Sequence, residues 1–138
     1  MRALFADTFY WVALTSTEDA AHGRAVEISR SLKPERIVTT DEVLTEYLAF
    51  FSGARPSVRI QAGSNVVDLI HNSIVLVIAQ TRESFLSGVE LYRARPDKGY
   101  SLTDCISMQA MRREGMTEVL TNDSHFEQEG FRVLLRDL

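Results

Sequence analysis

The chain alternates short apolar runs with longer amphipathic stretches. Leu4, Phe5 and Ala6 form a run closed by Asp7 and Thr8, the pattern of a buried strand that delivers a carboxylate at its C-terminal end, and a helical stretch follows. Between Glu18 and Leu32 the apolar positions Ala21, Ala25, Ile28 and Leu32 recur at helical spacing, predicting a helix that Lys33-Pro34 terminates. Arg36 to Thr39 reads as a second strand. Thr39 with Glu42 makes a capping-box pattern opening a helix that reaches Phe51 to Gly53. Ser57 to Asn72 predicts a helix with Ile60, Val66, Val67 and Ile70 inward, and the β-branched run Ile74 to Ala79 predicts a central strand. Helices follow over Thr81 to Arg95, ending before Pro96, and over Ser101 to Glu114, stopped by Gly115. Glu118 to Thr121 and Phe131 to Leu135 read as the last strands, and Arg95 to Tyr100 as an exposed loop.

Short apolar strands alternating with longer helices imply a sheet covered on both faces. The expected fold is α/β: a three-layer α/β/α domain with a mostly parallel central sheet of about five strands. A length of 138 residues suits one domain over positions 1–138, since halving it would leave each part short of core. With 45% hydrophobic and 25% charged residues, seven Gly and three Pro, the composition excludes disordered, collagenous and low-complexity classes.

The longest uncharged stretches, Thr8 to Thr17 and Asn72 to Thr81, cover about half of what a bilayer-crossing helix needs, so no membrane partner is expected. Asp7 interrupts the apolar run that a secretory signal would require. The single cysteine, Cys105, cannot form an internal disulfide or a CxxC-type zinc site, which suits a reducing cytoplasm. Fifteen Lys and Arg against 19 Asp and Glu give a net charge of -4, which argues against simple electrostatic binding of nucleic acid.

Some of those acids fall at comparable places. Asp7 ends the first strand, Glu46 lies in the helix after the second, Asp104 opens a helix, and Asp123 follows the strand ending at Thr121. In open α/β sheets the functional crevice lies outside the carboxyl ends of the strands, where residues 39, 58 and 19 positions apart can meet. Clustered carboxylates repel one another, and a cation relieves that repulsion. Oxygen-only ligands suit the hard ions Mg²⁺ or Mn²⁺, which serve phosphodiester hydrolysis by in-line displacement. Each acid also has a simpler role open to it. Asp104 stands three residues after Ser101 and could complete a helix cap, Glu46 sits at the edge of an apolar helical arc, and Asp123 in Thr121-Asn122-Asp123-Ser124 could form a turn. Asp7 is harder to dismiss, because a carboxylate closing an apolar strand is seldom only solvated.

The segments LFADTFYWVAL, IVTTDEVLTEYL, DKGYSLTDCISMQAM and EVLTNDSHFEQEGFRVLL together resemble the PIN domain, and particularly the VapC-like toxin nucleases of bacterial toxin-antitoxin pairs. The resemblance spans nearly the whole chain, and SLTDCIS and LTNDSHFEQEGF are its most specific parts. It implies a Mg²⁺- or Mn²⁺-dependent endoribonuclease whose family acids map to Asp7, Glu46, Asp104 and Asp123. It further implies Asp7 and Asp104 as the firmest metal ligands, Glu46 and Asp123 completing the site directly or through water, and Thr8 and Thr121 as supporting hydroxyl donors. An RNA substrate, an antitoxin whose tail covers the crevice, and a homodimer built on helical surfaces follow from the same resemblance. Toxin and housekeeping RNA processing would use the same site.

A phosphorelay receiver is a rival of another class, but it would carry paired acids early and a lysine at a late strand end, where this chain has Ala6-Asp7 and Thr121. A binding module without activity is disfavoured because all four acids are present. His125 is read as positioning the loop beside Phe126 rather than donating a proton, and Phe9, Tyr10 and Trp11 as packing rather than stacking on RNA bases. Arg82, Arg93, Arg95, Lys98, Arg112 and Arg113 are candidates for a phosphate-tracking rim. Asp41 and Glu42 read as helix-start charges, and Cys105 as buried packing.

Overall fold

Two parallel strands can be joined only by a crossover, so the alternation of strand and helix decides the architecture. The structure, a computed structural model, describes residues 2–136. Its strands are β1 (Ala3–Ala6), β2 (Arg36–Thr40), β3 (Val75–Ile78), β4 (Glu118–Leu120) and β5 (Arg132–Val133). Its helices are α1 (Thr8–Thr15), α2 (His22–Leu32), α3 (Asp41–Phe50), α4 (Pro56–His71), α5 (Arg82–Ala94), α6 (Leu102–Arg113) and α7 (Ser124–Gln128). The strands form one sheet in the order β3-β2-β1-β4-β5, and every pairing is parallel. The three-layer α/β/α expectation holds, with a sheet parallel throughout.

β1 is the central strand, and Leu4, Phe5 and Ala6 are essentially inaccessible to solvent. From β1 the chain winds outward through β2 and β3 on one side, then returns to the other side for β4 and β5. The order therefore reverses between β1 and β4. Crevices of such sheets open at that point, outside the strand ends.

Several expectations are corrected. The run through Val75–Ile78 is an edge strand rather than a central one, pairing only with β2, and its four residues are half-buried. A β-branched run reports strand propensity, which central and edge positions share. In α4 the inward residue is Ala62, while Ile60, Val67 and Ile70 are exposed and Val66 is only half-buried. Val66, with Val58 and Leu69, packs partly against the core, so of the expected inward positions only Val66 turns that way. The cap of α3 is Thr40, which accepts from the Val43 amide at 3.1 Å. Thr39 instead points into the core, donating to the Ala6 carbonyl at 2.9 Å and accepting from the Trp11 indole at 3.3 Å.

The helix expected from Glu18 starts at His22, because Asp19 Oδ1 accepts from the Ala21 amide and holds a turn before it. The strand expected over Phe131 to Leu135 is regular only at Arg132–Val133, although Leu134 and Leu135 still donate to Val119 and Thr121 carbonyls. The five-residue α7 was not foreseen from the hydrophobic pattern, being too short to show a period.

One close crossing positions the site. Gly88 of α5 is buried against α6, where a Cβ would stand 3.3 Å from the Ile106 backbone nitrogen and Cα. The absent side chain lets α5 lie beside the N-terminal half of α6, the half that carries Asp104.

Candidate active site

Asp7 is the residue at which β1 becomes α1, and it is only 6% exposed. Its amide still continues the ladder by donating to the Leu120 carbonyl, so the backbone at this point is held by β4. Its Oδ2 accepts from Thr121 Oγ1 at 3.0 Å, and the same Thr121 oxygen accepts from the Asp123 amide at 3.2 Å. Thr8, one residue on, donates to Glu46 Oε1 at 2.6 Å, tying α3 to the start of α1. Both threonines thus donate a hydroxyl to one of the four acids.

Asp104 is the third residue of α6 and forms a reciprocal capping box with Ser101, each side chain accepting from the other's amide at 3.0 Å. Asp123 caps α7 by accepting from the His125 amide at 2.9 Å. The simpler roles open to these two acids are therefore real. Neither displaces them from the crevice, because each carboxylate keeps further acceptor capacity. His125 Nδ1 stands 3.4 Å from Asp123 Oδ1 and 3.7 Å from Asp104 Oδ2, and it is buried without a hydrogen-bond partner of good geometry. Ligand atoms of Asp104, Asp123 and His125 all lie within 4.8 Å of one another. His125, read from the sequence as a loop residue, joins the cluster. Its signal was its place two residues after Asp123 in a capped turn.

The charges are mutually unfavourable. Burial, with the Asp104 charge next, pushes the Asp7 carboxyl up from 3.8 to about 7; the Thr8 and Thr121 hydrogen bonds oppose the shift and Glu46 adds to it. Asp104 is raised by burial, opposed by its Ser101 bonds, with the Asp123 and Glu46 charges adding to the rise. Among the described residues none of the four carboxylates has a lysine or arginine partner. Carboxylate oxygens without a lysine or arginine beside them among the described residues, with the His125 nitrogen at their edge, fit a hard divalent cation.

Other candidates separate. Tyr10 and Trp11 are buried and Phe9 is half-buried, so the aromatic cluster of α1 packs. Arg95 and Arg112 both pair with Glu129, and Lys98 with Asp97, which removes three cations from the suggested rim. Asp41 accepts from the Gln80 amide and stands in the first turn of α3 with Glu42, as expected for helix-start charges. Cys105 is buried, and desolvation pushes its thiol to about 11, so it is inert packing.

No family model matches the chain. It is 28% identical over 128 residues to a Mycobacterium tuberculosis protein named 23S rRNA-specific endonuclease VapC20, covering 93% of this chain and 95% of that one. The crystal structure of M. tuberculosis VapC20, described as a sarcin-ricin loop cleaving toxin, superposes with a TM-score of 0.82 at 26% identity, covering 93% of this chain and 95% of that one. The chain is thus similar to VapC20 in both sequence and fold. The same fold is seen in VapBC2 from Rickettsia felis bound to a fragment of promoter DNA, at a TM-score of 0.66 and 17% identity over 96% of this chain and 97% of that one. In this chain Asp7 ends β1, the strand at which the sheet order reverses. No described helix is long and apolar enough to cross a membrane.

Proposed function

We propose that this chain is an endoribonuclease that requires Mg²⁺ or Mn²⁺ and acts as the toxin of a toxin-antitoxin pair. The observation that carries the reading is the buried Asp7 at the sheet's reversal point, its carboxyl raised by burial and by Asp104 and no cationic side chain beside it. The likeness to a 23S rRNA-specific endonuclease supports RNA as the substrate, with ribosomal RNA the first target to try. The receiver-like and non-catalytic readings lose their support at the same point.

Asp7 and Asp104 would hold the cation, with Glu46 and Asp123 completing its surroundings. When bound, such an ion supplies positive charge that neutralises phosphate oxygens and promotes attack of water on phosphorus. The chain's own side chains do the positioning. Thr121 fixes one Asp7 oxygen, Thr8 orients Glu46, and the Ser101 box sets the Asp104 rotamer. Burial of Asp7 keeps water from screening the cluster.

The antitoxin partner follows from the VapBC likeness, and a homodimer would bury the apolar residues that α4 leaves exposed. The test is cleavage of total RNA by the purified chain with Mg²⁺ or Mn²⁺, with EDTA and Asp7→Asn as controls. Metal-dependent cleavage by the wild type alone is expected. Equal cleavage by Asp7→Asn would assign the activity to a contaminant and remove the reading.

A further inference from the structure

Between α3, α5 and the first turns of α6 lies a cavity of about 540 Å³, large enough for a single nucleotide, that the proposed reaction does not use. It is lined by Glu42 of α3, Gln80 and Arg82 at the start of α5, Phe85 of α5, and Leu102 and Ile106 of α6. Two of the helices that line the cavity also carry site acids. Leu102 stands two residues before Asp104, and Glu42 is one helical turn before Glu46.

Its chemistry is that of a base platform. Phe85 is 39% exposed although aromatic, and the Arg82 guanidinium carbon lies 5.5 Å from its ring centroid. Among the described residues Arg82 has no carboxylate partner, so its N–H donors are available to a phosphate. The Glu42 side chain accepts no hydrogen bond from the described residues, and its two oxygens match a base edge with two adjacent N–H donors. Guanine offers that edge through N1–H and the N2 amino group, with O6 left for the Gln80 amide.

The geometry points to this cavity as a nucleobase subsite, in which an unstacked guanine beside the scissile phosphate stacks on Phe85 and pairs with Glu42. The inference rests on the ribonuclease reading and deepens it. An extruded base suits the setting, since protein readout of RNA sequence works on unstacked bases held against aromatic and guanidinium planes. A peptide tail is the competing occupant, but the unpaired carboxylate and cation on one small platform favour a base over an apolar side chain.

The experiment uses the full chain and a pool of single-stranded RNA oligomers randomised around a central position, with cut ends sequenced. Wild type, Phe85→Ala, Phe85→Tyr, Glu42→Gln and Asp7→Asn are compared, with melting temperatures to verify folding. Phe85→Ala should raise KM roughly tenfold with a smaller change in kcat, and Phe85→Tyr should restore KM. Glu42→Gln should lose a guanine preference at one position relative to the cut. Wild-type cleavage with a KM and cut profile reproduced by both Phe85→Ala and Glu42→Gln would overturn the subsite alone and leave the cavity to a protein partner. Failure of the wild type to cleave beyond Asp7→Asn would overturn the nuclease reading and the subsite with it.

Discussion

The ends of β1 and β4 and the outer face of α4 treat awkward residues in opposite ways. At the strand ends a buried Asp7 stands with the half-buried Asp104 and Asp123 and the exposed Glu46, and each is held by hydroxyls or amides: Asp7 by Thr121, Glu46 by Thr8, Asp104 by Ser101, and Asp123 by the His125 amide. Along α4, apolar Ile60, Val67 and Ile70 are left half or more exposed to solvent. The first region is unfavourable electrostatics kept in place by packing. The second is hydrophobic surface left uncovered, which costs the isolated chain little in folding. Stability and function therefore separate on this molecule, and substitutions can show it.

The largest effect is expected from Asp7→Asn, which should lower metal-dependent RNA cleavage by about a hundredfold or more, measured as kcat/KM against wild type. The same change should stabilise the metal-free protein at alkaline pH. Because the folded carboxyl is raised from 3.8 to about 7, the folded state keeps a proton that the unfolded chain releases across that window. Wild-type stability should accordingly be full below pH 4, fall as pH rises to about 7, and stay low above it. The gain for Asp7→Asn at pH 8 in EDTA has a ceiling of about 4 kcal/mol and should vanish below pH 4. Melting curves at the two pH values check this, and a variant less stable than wild type at pH 8 would contradict the burial argument. Added Mg²⁺ or Mn²⁺ should narrow the gap by stabilising the wild type selectively.

Next in size is Gly88→Ala. A methyl group there meets the Ile106 backbone at 3.3 Å, so α5 and α6 must part, at a cost of about 1–3 kcal/mol in chemical denaturation. Ser101→Ala should remove about 1 kcal/mol with its cap and loosen Asp104, lowering kcat more than its modest stability loss explains. The smallest effect belongs to the other region. Val67→Thr on α4 should change monomer stability by less than about 0.5 kcal/mol, while size-exclusion chromatography with light scattering would register any dimer that face supports.

Much of this was legible one segment at a time. Leu4-Phe5-Ala6 followed by Asp7 announced a buried strand ending in a carboxylate, and Ser101 with Asp104 announced a helix cap, because both are local patterns over a few residues. Inward and outward positions on α4 were not legible: Ile60, Val66, Val67 and Ile70 have helical spacing, but only the neighbours decide whether an apolar face is covered. For the same reason the β-branched Val75–Ile78 could not reveal that it lay at an edge. Thr39 and Thr40 carry the same hydroxyl, and the strand pleat alone chose which one turned into the core and which one capped α3.

By itself the sequence determined the succession of strands and helices, the four acids at strand and helix ends, and the resemblance that joined them, since these rest on short-range spacing and residue type. Only the tertiary structure decided the order β3-β2-β1-β4-β5, and with it that β1 and β4 are neighbours, that Thr121 reaches Asp7, and that His125 stands between Asp104 and Asp123. The physical reason is range: hydrogen bonding within a turn is dictated by adjacent residues. The Asp104 charge that helps raise the Asp7 carboxyl, and the Leu120 carbonyl that holds the Asp7 amide, are brought up by a chain that has crossed the sheet and returned.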